Sequence, residues 1–245
     1  MNCFVGCSGF YYPEWKGVFY PEESKKKDWL HYYARHFQTL EINNTFYRFP
    51  ELKTFEEWYK KSPDNFLFSV KVPRIITQYR RFNDCSELIQ SFYNLAAAGL
   101  MEKLGCILFQ LPPSMAYSEQ LLHKIINSLD LTFKNVVEFR HVSWYIPKVY
   151  EELKKANVAF CGVSYPTLSN KVTATASFLY YRFHGVPELY KSAYSNEELQ
   201  NVASAIITAN LNEAWVYFNN TMNVEAIQNA LTLEKILEGL LSASL

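Results

Sequence analysis

Val136–Arg140 reads VVEFR and Leu179–His184 reads LYYRFH. Each run is apolar along its body and becomes charged only at its end, at Glu138 and Arg140 and at Arg182 and His184. Short, continuously apolar runs of this kind are strands buried on both faces, as in a parallel sheet. The same pattern recurs along the chain. FVGCS ends at Ser8, LEIN at Glu41 and Asn43, FLFSVK at Lys71, CILFQ at Gln110, FCGVS at Ser164 and VYFNN at Asn219. A strand that buries its body and presents a charge or amide at its tip opens that tip onto something polar.

The spacing predicts strands over Cys3–Gly6, Thr39–Ile42, Phe66–Val70, Cys106–Gln110, Val136–Phe139, Ala159–Val163, Leu179–Phe183 and Trp215–Phe218. Between them lie helical patterns. Trp29–His36 follows Asp28 as N-cap, and Phe55–Lys61 follows Thr54, with Glu57 completing a capping-box spacing. Glu87–Ala97 and Glu119–Leu129 carry apolar stripes at helical spacing, the latter capped by Ser118. Pro147–Ala156 has proline in its first turn, where the missing N–H costs least. Asn196–Ala209 follows Ser195, which makes a second capping box with Glu198, and Val224–Leu241 follows the last strand.

Strand and helix alternating about eight times over residues 1–245 implies one α/β domain, a (β/α)8 TIM-type barrel. A doubly wound open sheet is the alternative. That fold usually carries a GxGxxG turn after its first strand, and Gly6-Cys7-Ser8-Gly9 is too short to cradle a dinucleotide. Two connections are long, Cys7–Lys27 after the first strand and Lys71–Cys85 after the third. Both leave strand C-termini, so both are candidate lids over the functional end.

Composition narrows the function classes. Lys+Arg and Asp+Glu both number 24, a balance that argues against broad nonspecific binding of nucleic acid but leaves room for a local basic groove. Five cysteines without a regular framework suggest reduced thiols and a cytoplasmic location. Cys3 and Cys7 have metal-like spacing, but no third ligand accompanies them. The opening MNCFVG lacks a signal-peptide pattern, and no apolar run approaches a membrane span, so no membrane contact is expected. The sequence carries no signal of oligomeric state.

Alternation along a strand puts Glu138 with Arg140, Arg182 with His184, Ser69 with Lys71, Glu41 with Asn43, Cys106 with Gln110 and Tyr217 with Asn219 on shared faces. In a barrel that face is the interior, and its C-terminal end is where barrel enzymes hold their sites. His184, whose ordinary pKa lies near neutrality, is the best acid/base candidate, with Glu138 or Glu41 as base or orienting group. Arg140, Arg182 and Lys71, with Gln110, Asn219 and Asn43, suit a phosphate, carboxylate or sugar. Tyr11, Tyr12 and Trp15 in the first long loop are expected to stack on a ring. The competing reading is a self-satisfied ion network that closes the barrel. A metal set of Glu41, Glu138, His141 and His184 is conceivable, but strand-end Asp is missing, so neither metal nor other cofactor is expected. Asn219-Asn220-Thr221 before the last helix offers an anion seat, or plain helix capping.

The segments GCSGFYYPEWKGVFYPE (Gly6–Glu22), LEINNTFYRFP (Leu40–Pro50), FQLPPS (Phe109–Ser114), VEFRHVSW (Val137–Trp144), YYRFHG (Tyr180–Gly185) and YFNNT (Tyr217–Thr221) resemble, in this order, the YecE-like family of barrel proteins of unknown function. The resemblance implies a TIM-type barrel distantly similar to the sugar isomerase and endonuclease IV superfamily, and implies no particular reaction. Where the family often shows Asp at the end of the sixth strand, this chain has Ser164, which weakens any mechanism that needs a carboxylate there. The expectation is an enzyme of hydrolase or isomerase type acting on a phosphate- or sugar-bearing substrate. The alternative is a non-catalytic module that binds nucleic acid or a metabolite in the same pocket.

Overall fold

The computed structural model of the chain describes residues 1–243. The strands are β1 (Asn2–Cys7), β2 (Thr39–Ile42), β3 (Leu67–Lys71), β4 (Leu104–Gln110), β5 (Lys134–Glu138), β6 (Ala159–Phe160), β7 (Gly162–Ser164), β8 (Phe178–Phe183) and β9 (Glu213–Phe218). All pair in parallel, in the orders β2-β3-β4-β5-β6 and β7-β8-β9-β1. Two junctions close the barrel. Ser8 bridges Glu41, with the Gly9 N–H donating to Glu41 O at 2.8 Å. Cys161, between β6 and β7, donates its N–H to Val137 O at 2.9 Å. Residues 159–164 thus form one stave whose first half pairs with β5 and whose second half pairs with β8.

The helices are α1 (Trp29–Tyr33), α2 (Asn44–Tyr47), α3 (Leu52–Lys61), α4 (Ser86–Leu100), α5 (Glu119–Asn127), α6 (Pro147–Lys155), α7 (Asn196–Thr208) and α8 (Glu225–Ala243). No helix forms over 165–177, so the regular alternation breaks between β7 and β8 and an irregular segment covers the staves there. Two sequence expectations are corrected. α3 begins at Leu52, with extended Glu51 as its cap, which leaves Thr54 inside the first turn and forms no capping box. α1 ends at Tyr33, the residues to Phe37 continuing as turns. The Ser195–Glu198 capping box and the Ser118 cap form as expected.

The barrel interior is layered. At its floor the Phe4 and Trp215 rings stack 4.3 Å apart beside Leu67, Cys106 and Phe178. The register between β3 and β4 slips at Gly105, where a Cβ would lie 2.7 Å from the Trp215 indole, so the large ring fits only against a glycine. One layer up, the Tyr217 hydroxyl meets Thr39 Oγ1 at 2.6 Å and Ser69 Oγ at 2.9 Å. Polar groups this deep are tolerated because they pair with one another. The outer core, between staves and helices, is built from the opposite parity, with Leu40, Val70, Ile107, Phe109, Val137, Phe139 and Phe218 all buried.

Candidate active site

Above the hydroxyl layer, the barrel interior turns ionic. Arg182, on β8, donates from Nη2 to Glu41 at 2.6 Å and from Nη1 to Glu138 at 2.5 Å. Arg182, Glu41 and Glu138 are fully buried. Glu41 takes further hydrogen bonds from Ser8 and from the Tyr180 hydroxyl, the latter at 2.7 Å. Glu138 also pairs with Arg140 Nε. Burial costs several kcal/mol per ion, and only this mutual satisfaction holds two carboxylates and two guanidinium groups inside. Burial alone would raise the Glu138 pKa, but Arg140, Arg182 and His184 outweigh it and hold the group well below the usual carboxylate range.

His184 lies on top of this network and is fully buried. Its Nε2 is 3.3 Å from Glu138, 3.2 Å from Arg140 Nη2 and 3.4 Å from Arg182 Nη1. Its Nδ1 is 3.0 Å from the Asn219 side-chain amide. Burial, and then the Arg140 charge, lower its pKa well below the ordinary value against the pull of Glu138, so the ring is neutral at pH 7. The Tyr165 and Tyr190 rings lie edge-on to it at 5.8 and 6.4 Å. Gly185, with φ +88°, turns the chain immediately after His184 into the segment that carries Tyr190.

Lys71 and Arg140 form the outer edge. Arg140 is 8 % exposed and its guanidinium stacks 4.5 Å from the Tyr165 ring centre. Lys71 is 7 % exposed, and its Nζ sits 4.0 Å from the Phe46 ring centre. Burial and the nearby Arg182 charge lower its pKa to about 7, with Glu138 and Glu41 opposing.

The structure thus brings Glu41, Lys71, Glu138, Arg140, Arg182, His184 and Asn219 to one end of the barrel. It changes several expected roles. Arg182 is fully buried and commits both Nη atoms to carboxylates in the interior, leaving its Nε–H without a partner. Trp15 is fully buried, bonded through Nε1 to Asn223 O at 2.9 Å and packed on Tyr12 and Tyr20, so it anchors the first long loop and offers no face to a ligand. Gln110 turns its amide onto Leu111 O at 3.1 Å. His141 faces Ser143, at 2.8 Å, and caps a turn away from the ion network. Among the described residues, no three His, Cys, Asp or Glu side chains converge as metal ligands. Asn220 bonds to Ser192 O and to Asn229, and α8 starts only at Glu225, so Asn219-Asn220-Thr221 does not cap that helix.

Tyr11, Tyr12 and Asn43 gather elsewhere, around a cavity of about 110 Å³ between the first loop and β2. Asn43 Oδ1 is buried there without a partner. Three contributors escaped the sequence reading: Phe46 beside Lys71, Tyr165 on Arg140, and Tyr180, which joins the strand-tip Ser8 on Glu41. Parity pointed at one of them, because Tyr180 is two residues before Arg182 on the same inward face. Nothing local marks Phe46 or Tyr165, which arrive from connections.

A family model described as "Protein of unknown function DUF72" matches residues 4–243. The chain is 24 % identical to UPF0759 protein YunF of Bacillus subtilis, over 89 % of this chain and 90 % of that one. It is 26 % identical to UPF0759 protein YecE of Escherichia coli O157:H7, over 69 % of this chain and 59 % of that one. A DUF72 family protein of Thermotoga maritima has the same fold, with a TM-score of 0.88 and 31 % identity, covering 97 % of this chain and 100 % of that one.

Proposed function

From the premise that the chain belongs to the DUF72 family, we propose that it is an enzyme acting on a sugar or sugar phosphate at the C-terminal mouth of its barrel, by isomerase-type proton transfer. The observation that carries this is the 3.3 Å contact between neutral, buried His184 and ionised Glu138 at that mouth. A neutral imidazole takes a proton, and a carboxylate in contact with it stabilises the imidazolium that forms. Asn219 on the other ring nitrogen orients the ring. Arg140, the outer guanidinium, is placed to hold an anionic or hydroxyl-rich substrate.

Hydrolysis fits less well. Glycoside cleavage by paired carboxylates needs one of them protonated, and here Glu41 and Glu138 both accept from the Arg182 guanidinium. Because His184 is fully covered, the proposal requires the Tyr165 ring and the segment after Gly185 to move aside when substrate enters. The test is stabilisation of the protein by aldoses, ketoses and their phosphates. At least one should raise the melting temperature of the wild type, and Arg140→Lys, which keeps the charge but loses the fork, should shrink that rise. A panel without any effect on the wild type would reject the proposal.

A second reading, a binding module without catalysis, draws on Arg74. Its guanidinium lies 5.5 Å from the Tyr47 ring and 5.4 Å from the Tyr79 ring. Both tyrosines are more than 60 % exposed, a stacking platform suited to bases.

A further inference from the structure

Lys71 stands apart from the other charged groups of the mouth. Arg140 and Arg182 each pair with a carboxylate, whereas among the described residues no carboxylate lies within 4 Å of Lys71 Nζ. Its Nζ packs over the Phe46 ring. The carboxylates that could neutralise it, Glu41 and Glu138, are already taken by the arginines. Burial strips a cation in this position of water and the nearby Arg182 charge disfavours it further, while Glu138, Glu41 and the Phe46 ring offset only part of that cost. Lys71 also ends β3 on the inward parity, within electrostatic reach of Arg182, Glu138, Glu41 and Arg140.

We infer that Lys71 is a nucleophile that forms an imine with the carbonyl group of a sugar or sugar phosphate. This rests on the reading of the mouth as a sugar site and adds the substrate's functional group, a free aldehyde or ketone. The Nζ lone pair adds to the carbonyl carbon as the C=O π electrons move to oxygen, which takes up a proton. The nitrogen gives up one proton to give a carbinolamine; the hydroxyl takes up a second proton from solvent and leaves as water as the nitrogen lone pair forms the C=N bond of a protonated imine. One C=N bond replaces one C=O bond, one water is released, and no oxidant or reductant is consumed. Protonated, the imine draws electrons from the adjacent carbon and makes its hydrogen easier to remove, which serves the proton transfer assigned to His184 and Glu138. The near-neutral pKa of Lys71 is in keeping with this role, since about half the amine is free at pH 7 against on the order of one part in a thousand for an ordinary lysine.

The test is reductive trapping on the full chain. The wild type is treated with dihydroxyacetone phosphate and sodium cyanoborohydride at pH 7, and the modified lysines are identified by peptide mass spectrometry. Lys71 is expected to carry the adduct at least about tenfold faster than Lys53, an exposed lysine on α3. Its labelling should be half-maximal near pH 7, with that of Lys53 still rising toward pH 10. Lys71 labelled no faster than Lys53, or with the same pH profile, overturns the inference. Hydrogen exchange from sugars that proceeds without a Lys71 adduct rejects the imine and spares the proton-transfer reading. An adduct without exchange rejects proton transfer and spares the imine.

Discussion

Arg182 and Glu138 meet through a 2.5 Å hydrogen bond in the barrel interior, with neither side chain reaching solvent. The same arginine holds Glu41 on the opposite wall, so one guanidinium ties β8 to both β2 and β5. Removing it leaves two carboxylates buried, one of them with its main ionic partner gone. Arg182→Met is expected to cost about 3–5 kcal/mol in urea unfolding, and adding Glu41→Gln should recover part of that loss. A loss below about 1 kcal/mol would mean that the pair is solvated and that the interior is not as dry as described.

Acid should weaken the fold in two stages. The unfolded chain protonates His184 near pH 6.5, while the folded chain refuses that proton to a much lower pH, so stability falls as pH drops below about 6.5. Glu138 has a depressed folded pKa, so its contribution is present above about pH 4.3 and is lost as pH falls through the folded value. Unfolding free energies from pH 8 to 3 should therefore decline, and His184→Gln should flatten the upper part of the curve. A wild-type curve that is level between pH 6.5 and 4.5 would contradict the buried neutral imidazole.

Lys71 reports at the alkaline side. Its folded pKa of about 7 lies below the ordinary lysine value of about 10.4, so between these limits the unfolded chain binds a proton that the folded chain does not. Stability contributed at this site rises as pH increases from 7 to 10. The stability difference between Lys71→Met and the wild type should therefore shift in favour of the wild type over that range. A difference independent of pH would show an ordinary, solvated ammonium.

The fold and the convergence of these charged side chains were legible because both follow from parity. Glu138 with Arg140, and Arg182 with His184, lie two apart at the ends of the runs Val136–Arg140 and Leu179–His184, whose other residues are apolar, and that sends all four toward one barrel end. Partnership was not legible. Sequence shows that Arg182 is a cation but not that Glu41 and Glu138 arrive on either side of it from strands far away in the chain. Trp15 misled for a related reason. A loop rich in aromatics serves equally to anchor itself or to stack on a ligand, and only the burial of Trp15 and Tyr20 separates the two. The absence of a helix over 165–177 was legible residue by residue, because no capping or periodicity signal falls there; only the inferred eightfold alternation implied one.

The Tyr47–Arg74–Tyr79 platform separates catalysis from binding. If the protein is a nucleic-acid module, a short single-stranded oligonucleotide should bind with an affinity that falls steeply with salt. Replacing Tyr47 and Tyr79 together by alanine should then weaken it by about 1–3 kcal/mol per stacked base. Absence of salt-dependent binding in the wild type leaves the enzyme reading as the one supported.

The most direct measurement is hydrogen exchange in D2O followed by NMR, using aldoses, ketoses and their phosphates with wild type, His184→Asn and Glu138→Gln. The expected result is enzyme-dependent loss of the proton on the carbon next to the carbonyl of at least one sugar, reduced about 10²–10⁴-fold in both variants while they remain folded. Exchange that persists unchanged in both variants, or no exchange from any of these sugars with the wild type, would contradict a proton-transfer site at the mouth of the barrel.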